Sequence, residues 1–238
     1  MFELRIENEV ARITLARPEA RNAVPVAGWD ALAARVREAQ GARVLILAGS
    51  EQAFCAGADL REFPGMSGDP AKAAEFREAM RRGIEAVAAL PIPTVALIQG
   101  PCYGAGVALA LACDLRLAGP GARFAITPAR IGISFPQEDV FRLVSLVGPA
   151  QAAKLLYTGA AIGAEEALRI GLADSPADEL DEILAAILAS DGASHATLKR
   201  GIALAASGTA SDAAQDDDFD ALIAAPALAL RLAARTGR

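Results

Sequence analysis

Hydrophobic and polar positions alternate from the start of the chain. Phe2, Leu4 and Ile6 repeat with a period of two, and after Asn8-Glu9 the residues Ala11, Ile13 and Leu15 repeat it again. This predicts a hairpin of half-buried strands. Trp29, Leu32, Ala33 and Val36 then recur at helical spacing, and Gly41 ends the pattern before a buried strand over 43–48. The Gly- and Pro-bearing stretch 63–70 predicts a mobile loop, followed by a helix over 71–89. Pro91 and Pro93 punctuate the chain, and residues 94–98 read as another buried strand. Gly104 opens a helix of small residues that ends near Cys113, and 115–118 resumes strand character.

Up to about residue 130 this alternation implies βα turns stacked around parallel strands. Helical patterns then take over at 137–147, 149–157, 164–170, 178–189, 194–206 and 212–235. The pattern therefore predicts an α/β fold: a core over 1–190 and a helical C-terminal region over 191–238 that supplies subunit contacts.

Composition narrows the function classes. A net charge of −6 argues against a general nucleic-acid or membrane-surface binder, since both reward a basic face. Hydrophobic residues make up 53% of the chain, enough for a substantial core. No uninterrupted apolar run has the length of a membrane span, and the first residues lack the features of a signal peptide. The three cysteines, Cys55, Cys102 and Cys113, have no paired short spacing, which indicates reduced thiols and neither a disulfide nor a metal framework. Together these features predict a cytoplasmic protein.

Two segments that follow strands are built from small residues. The first is AFCAGADL, residues 53–60, and the second is GPCYGAG, residues 100–106, at the start of a helix. Small side chains leave the backbone open to approach, and helix N-termini present unpaired N–H groups to negative charge. A dinucleotide-binding reading of the second segment fails, because the third glycine and the later acid are missing.

The two segments, with Arg21-Asn22-Ala23, Ala122-Arg123-Phe124, Ile131-Gly132, Leu156-Tyr157-Thr158-Gly159 and Ile170-Gly171-Leu172, resemble the enoyl-CoA hydratase/isomerase (crotonase) family. The resemblance runs to about residue 190; after that Lys199 still fits the usual pattern. It implies a crotonase-like spiral of ββα turns, assembled as a homotrimer or hexamer, that binds an acyl-CoA substrate. Coenzyme A enters as part of that substrate, and no other cofactor and no metal are implied. The amides of Ala58 and Ala105 would point together at the thioester carbonyl and form an oxyanion hole for an enolate. Ala23, Ala56, Leu60, Tyr103 and Gly104 would line the substrate groove. Arg21 and Arg61 would stand near the nucleotide phosphates, with a solvated surface role as the alternative. Asp59 would line the same groove or cap the chain after Gly57.

Catalytic acids break the family pattern. The two glutamate positions that the resemblance assigns to hydration are Ala108 and Pro128, neither of which carries a proton. The acids that remain nearby are Glu138 and Asp139, where single-acid relatives place a carboxylate, and Glu138 lies nearer that position. One such acid beside an oxyanion hole suits double-bond isomerisation. In a first helical turn both acids also simply complement the macrodipole. Decarboxylation, thioester hydrolysis and acyl-CoA binding without turnover are the alternatives; Phe135 stands where decarboxylase-like relatives have a tyrosine. Cys102 has no histidine near it in sequence to make it a nucleophile, since the single His195 lies far along the chain. Near the C-terminus positive charge comes from Arg231, Arg235 and Arg238 alone, so a contact between this end and a neighbouring subunit's CoA is not expected.

Overall fold

The computed structural model describes residues 1–50 and 53–236. The predicted hairpin forms from β1 (Phe2–Glu7) and β2 (Val10–Leu15), joined through Asn8 and Glu9 at φ 49° and 65°, as a tight twisted turn requires. α1 (Val26–Glu38) follows, then β3 (Val44–Gly49). α2 (Pro70–Ala88), β4 (Thr94–Ile98), β5 (Pro101–Tyr103), α3 (Ala105–Leu111), β6 (Leu115–Ala118) and β7 (Arg123–Ala125) complete the turns of the spiral.

β2, β3, β4 and β6 lie side by side and parallel, so each turn stacks on the one before it. Each turn then crosses into a second, smaller sheet: β5 pairs parallel with β7, and an isolated bridge from Cys55 to Cys102 adds the preceding turn. The strand step from β3 to Cys55 and the step from β4 to β5 therefore run alongside one another. That brings the two small-residue segments into contact.

The continuous apolar run of β3 arises because both of its faces are buried. Leu45 and Leu47 pack with Trp29, Leu32 and Val36 of α1 and Ile84 and Val87 of α2. Val44, Ile46 and Ala48 face the other way, toward Val95, Leu97 and Leu117. That second face is covered by α6 (Leu180–Ala189) through Ile183, Leu184 and Ile187.

The helical half differs from the sequence pattern in three places. Two helices were expected over 137–147 and 149–157; they join as α4 (Gln137–Thr158), kinked where Gly148 takes φ 75° and ψ 163° before Pro149. α5 (Ala164–Arg169) is flanked by the short strands β8 (Ile162–Gly163) and β9 (Ser175–Pro176), so strand pairing continues past residue 130. After α7 (Gly192–Ala206), the helix expected over 212–235 is divided by Pro226 into α8 (Ala213–Ala224) and α9 (Pro226–Thr236). Arg231 pairs with Asp191 at 2.7 Å, whereas Arg238 and the side chain of Arg235 lie outside the described residues. Among the described residues, no helix is long and apolar enough to cross a membrane.

Lys199 fastens α7 to the core. Its Nζ donates to the Ile92 carbonyl at 3.0 Å and to Asp114 Oδ2 at 2.8 Å, and the same carboxylate accepts from the Thr94 amide at 2.7 Å. Lys199→Ala leaves this carboxylate and carbonyl short of a donor, and is expected to lower stability by about 1–3 kcal/mol in denaturant unfolding.

Candidate active site

The first small-residue segment is held by an ordered set of backbone bonds. Phe54 and Cys55 both donate their amides to the Pro101 carbonyl, at 3.0 and 3.1 Å, and Cys55 accepts from the Tyr103 amide at 2.8 Å. Ala56 donates to the Arg21 carbonyl at 2.9 Å, and Gly57 donates to Cys55 Sγ at 3.4 Å. Val24 bridges Ala58 in parallel fashion, donating to Gly57 O at 2.8 Å and accepting from Asp59 N at 2.9 Å. In such a bridge the flanking groups of residues 57 and 59 turn toward Val24, so the N–H of Ala58 turns the other way. From Phe54 to Asp59, Ala58 is the residue whose amide has no protein acceptor among the described residues.

The second segment meets the first at Gly57. A Cβ on Gly57 would lie 2.7 Å from the Tyr103 carbonyl and 3.2 Å from the Ala105 nitrogen, and Gly57 itself has φ +101°. One turn further, a Cβ on Gly106 would lie 2.3 Å from the Cys55 carbonyl. Glycine at both positions is thus a packing requirement. Gly104, at φ 52° and anchored through its amide to the Ala125 carbonyl at 2.8 Å, is the N-cap of α3. Ala105 is the first residue of that helix, where an amide has no intrahelical acceptor.

Ala56, Gly57, Ala58, Gly104 and Ala105 border one cavity of about 700 Å³. Its far wall comes from Phe63 and Met66 on a 3-10 helix, Phe76 and Met80 on α2, and Ile131, Ile133 and Phe135 on the segment before α4. Part of the stretch expected to be a loop is helical: 63–66 belong to a 3-10 helix, and 67–69 turn into α2. Leu60–Met66 is a 3-10 helix that the Asp59 side chain caps, and Phe63 meets Phe76 edge-to-face with ring centroids 5.2 Å apart. A large, mostly apolar cavity that ends in two small-residue turns has the size and lining of a small-molecule site.

Comparison with known proteins settles the ancestry of this arrangement. The family model described as enoyl-CoA hydratase/isomerase matches residues 5–207. The chain belongs to the enoyl-CoA hydratase/isomerase family. Among its relatives is a Mycobacterium tuberculosis protein named "Probable enoyl-CoA hydratase echA14", 35% identical over 220 residues that span 91% of this chain and 84% of that one. A solved structure of an enoyl-CoA hydratase/carnithine racemase from Magnetospirillum magneticum superposes with a TM-score of 0.91 at 29% identity, covering 100% of this chain and 93% of the other. That of an enoyl-CoA hydratase from Bacillus anthracis gives 0.88 at 28% identity, with 100% and 96% covered. The crotonase fold and its helical C-terminal region are thus those expected of the family.

Placed on the family fold, the remaining candidate residues separate. Ala108 is fully buried inside α3, and Pro128 borders the cavity. Neither Glu138 nor Asp139 lines this cavity. Both border a second one of about 320 Å³, which shares Arg77, Met80 and Pro136 with the first. The two neighbours differ sharply: Glu138 is exposed, whereas Asp139 is 3% exposed. Burial pushes Asp139 up to about 6; Glu138 and Glu85 add to the shift, and Arg142 opposes it. Arg142 donates to Asp139 Oδ1 at 3.3 Å and to Glu85 Oε1 at 2.6 Å, and so joins α4 to α2. Environment therefore favours Asp139 over Glu138, reversing the order suggested by sequence position.

Of the predicted groove residues, Ala56, Leu60 and Gly104 line the cavity, whereas Tyr103 does not and donates its amide to the Cys55 carbonyl. Asp59 caps the 3-10 helix and is clamped by Arg61, through Nε at 2.9 Å and Nη2 at 2.7 Å, and by Arg17 at 2.8 Å. These partners, Arg61 foremost, hold its carboxyl well below the usual range. The Arg61 guanidinium is thereby committed to Asp59, though it stays largely open to solvent. Arg21 is exposed, and Ala23 is buried with its carbonyl accepting from Arg17 at 2.9 Å. All three cysteines are buried, and burial pushes Cys55 and Cys113 up to about 12, which leaves neither a thiolate for attack at neutral pH. Sequence reasoning missed Arg77 and Arg130 in the cavity wall and the Arg17–Asp59 clamp, whose members stand 42 residues apart.

Proposed function

We propose that this protein binds an acyl-CoA with its thioester oxygen between the amides of Ala58 and Ala105, stabilises the enolate that forms there, and moves one proton between two carbons of the acyl chain. The observation that carries this reading is the Ala58 amide, which has no protein acceptor among the described residues while the amides of Phe54 to Gly57 and of Asp59 each have one, at the edge of an acyl-sized cavity. Loss of an α- or γ-proton places charge on the thioester oxygen, and a preorganised donor in such a position contributes about 2.7–4 kcal/mol to the transition state. Asp139 is the acid–base group in this reading: burial raises its proton affinity toward neutral pH, and the second cavity, which it borders, shares Met80 and Pro136 with the acyl-sized one. Hydration has no second carboxylate at Ala108 or Pro128 to hold and activate water. Arg21 and Arg61 stand beside the first opening, where the nucleotide phosphates of CoA would follow. Exposed apolar residues on α7 and α8, among them Leu198, Ile202, Phe219 and Ile223, support self-association into a trimer or hexamer.

A second reading rests on a different feature. Among the described residues, the charged side chains lining the larger cavity are Arg77 and Arg130, with no carboxylate. An acyl group bearing its own carboxylate on the α-carbon would suit them, and decarboxylation needs no base: the carbon–carbon bond breaks, CO2 leaves, and the electron pair enters the same enolate, to be protonated by water. A panel of 3-enoyl, 2-enoyl and 2-carboxyacyl thioesters separates the two. The expected result is conversion of 3-enoyl to 2-enoyl thioester without a hydrated product. CO2 release from the carboxylated substrate selects the second reading, and tight binding with no turnover on any of them rejects both.

A further inference from the structure

The first opening depends on a side chain that touches no substrate. Every main-chain group of Cys55 is committed to the second sheet: its amide to the Pro101 carbonyl and its carbonyl to the Tyr103 amide. Its thiol is turned back toward the opening. The Sγ–H donates to the Asn22 carbonyl at 3.3 Å, and the sulfur accepts the Gly57 N–H at 3.4 Å. Both contacts are buried. Without the sulfur, the Gly57 amide would have no acceptor of its own and would compete with Ala58 for the thioester oxygen, or turn the peptide to find another partner.

The Asn22 end of this relay is equally fixed. Arg21 and Asn22 both adopt left-handed backbone, φ 50° and 60°, a conformation unfavourable for residues with side chains. The asparagine side chain holds the turn. Oδ1 accepts from the Arg17 amide at 2.9 Å, and Nδ2 donates to the Ala53 carbonyl at 2.8 Å. The turn then presents two carbonyls to the opening: Arg21 O takes the Ala56 amide, and Asn22 O takes the Cys55 thiol. Burial keeps that thiol protonated, so it remains both donor and acceptor.

We propose that Cys55 is a positioning residue for the oxyanion hole: its thiol bridges Asn22 and Gly57 so that, of the two adjacent amides of the first opening, the Ala58 N–H and not the Gly57 N–H faces the thioester oxygen. The inference rests on the reading of Ala58 and Ala105 as the carbonyl's donors. A thiol fits because sulfur reaches a longer hydrogen bond than a hydroxyl oxygen does. Serine keeps both functions at shorter reach, alanine keeps neither, and valine fills the space without a polar atom.

The test uses the full chain and acetoacetyl-CoA, a β-keto thioester whose enolate absorbs in the near ultraviolet. Wild-type protein is expected to lower the pH at which the bound probe is half enolate, relative to the probe free in solution. Cys55→Ala is expected to shift that midpoint back upward by about one pH unit, a tenfold loss of enolate stabilisation. Cys55→Ser is expected to recover more than half of the loss. Affinity for CoA itself, which has no thioester carbonyl, is expected to stay the same in all three. If Cys55→Ala does not fold, Cys55→Val takes its place. A Cys55→Ala midpoint equal to wild type overturns the positioning role while leaving the amide reading intact, and so does an equal loss of affinity for CoA and for the probe. A wild-type protein that leaves the probe's midpoint unmoved overturns the amide reading, and this inference with it.

Discussion

Replacing Gly57 by alanine is expected to reduce turnover by at least about a hundredfold, the loss that follows removal of one oxyanion donor. Two independent restraints act at this residue. The backbone sits at φ +101°, where an L side chain is strained, and the new methyl would lie 2.7 Å from the Tyr103 carbonyl and 3.2 Å from the Ala105 nitrogen. Those are main-chain atoms of the β5–α3 step, held by the Tyr103–Cys55 and Gly104–Ala125 bonds, so they have little room to give. The methyl therefore wedges the two openings apart at the point where, in the proposed function, their amides act together. A stability cost of about 1–3 kcal/mol accompanies the strain. Steady-state kinetics, read together with a thermal melt, separates the two effects. A folded Gly57→Ala protein with wild-type turnover would show that carbonyl activation happens elsewhere.

Much of this arrangement was legible along the chain because it depends on local chemistry. The buried strands at 44–49, 94–98 and 115–118 read as apolar runs since both faces of the large sheet are covered. The two small-residue segments read as openings because glycine and alanine cluster in them, and at Gly57 and Gly106 a side chain would meet the main chain of the other segment. What escaped the pattern is what depends on partners distant in sequence. β5, β7, β8 and β9 have two or three residues each, too few to display a period, and exist because the spiral brings their neighbours alongside. Residues 63–70 look like a loop by composition, yet 63–66 belong to a 3-10 helix that Asp59 caps, and Phe76 packs on Phe63. The choice between Glu138 and Asp139 could not be read from position either. Successive residues on a helix point about 100° apart, so docking of α4 against α2 buries one and leaves the other in solvent.

That docking makes Asp139 the residue where activity and stability oppose each other. Asp139→Asn removes the proposed proton acceptor and is expected to cut turnover by about a hundredfold to ten-thousandfold, the usual scale of general acid–base catalysis. In the wild type, turnover that uses the ionised form should rise as pH increases through about 6, where burial has moved this carboxyl. The stability effect has the opposite sign. A carboxyl whose proton affinity is higher in the folded state than in the unfolded chain contributes most when protonated, and that contribution is lost as pH rises from the unfolded value through about 6. A shift of this size, already net of the opposing Arg142 contact, corresponds to about 2–3 kcal/mol at the most. Asparagine fills the same space without a charge to bury. The variant is therefore expected to be inactive and yet more stable than wild type, by about 1–2 kcal/mol near pH 8, with the difference vanishing near pH 4. Denaturant midpoints at the two pH values measure the gap. A variant that turns over normally removes Asp139 from the chemistry, and one less stable than wild type near pH 8 shows that Arg142 holds the carboxylate more favourably than burial opposes it.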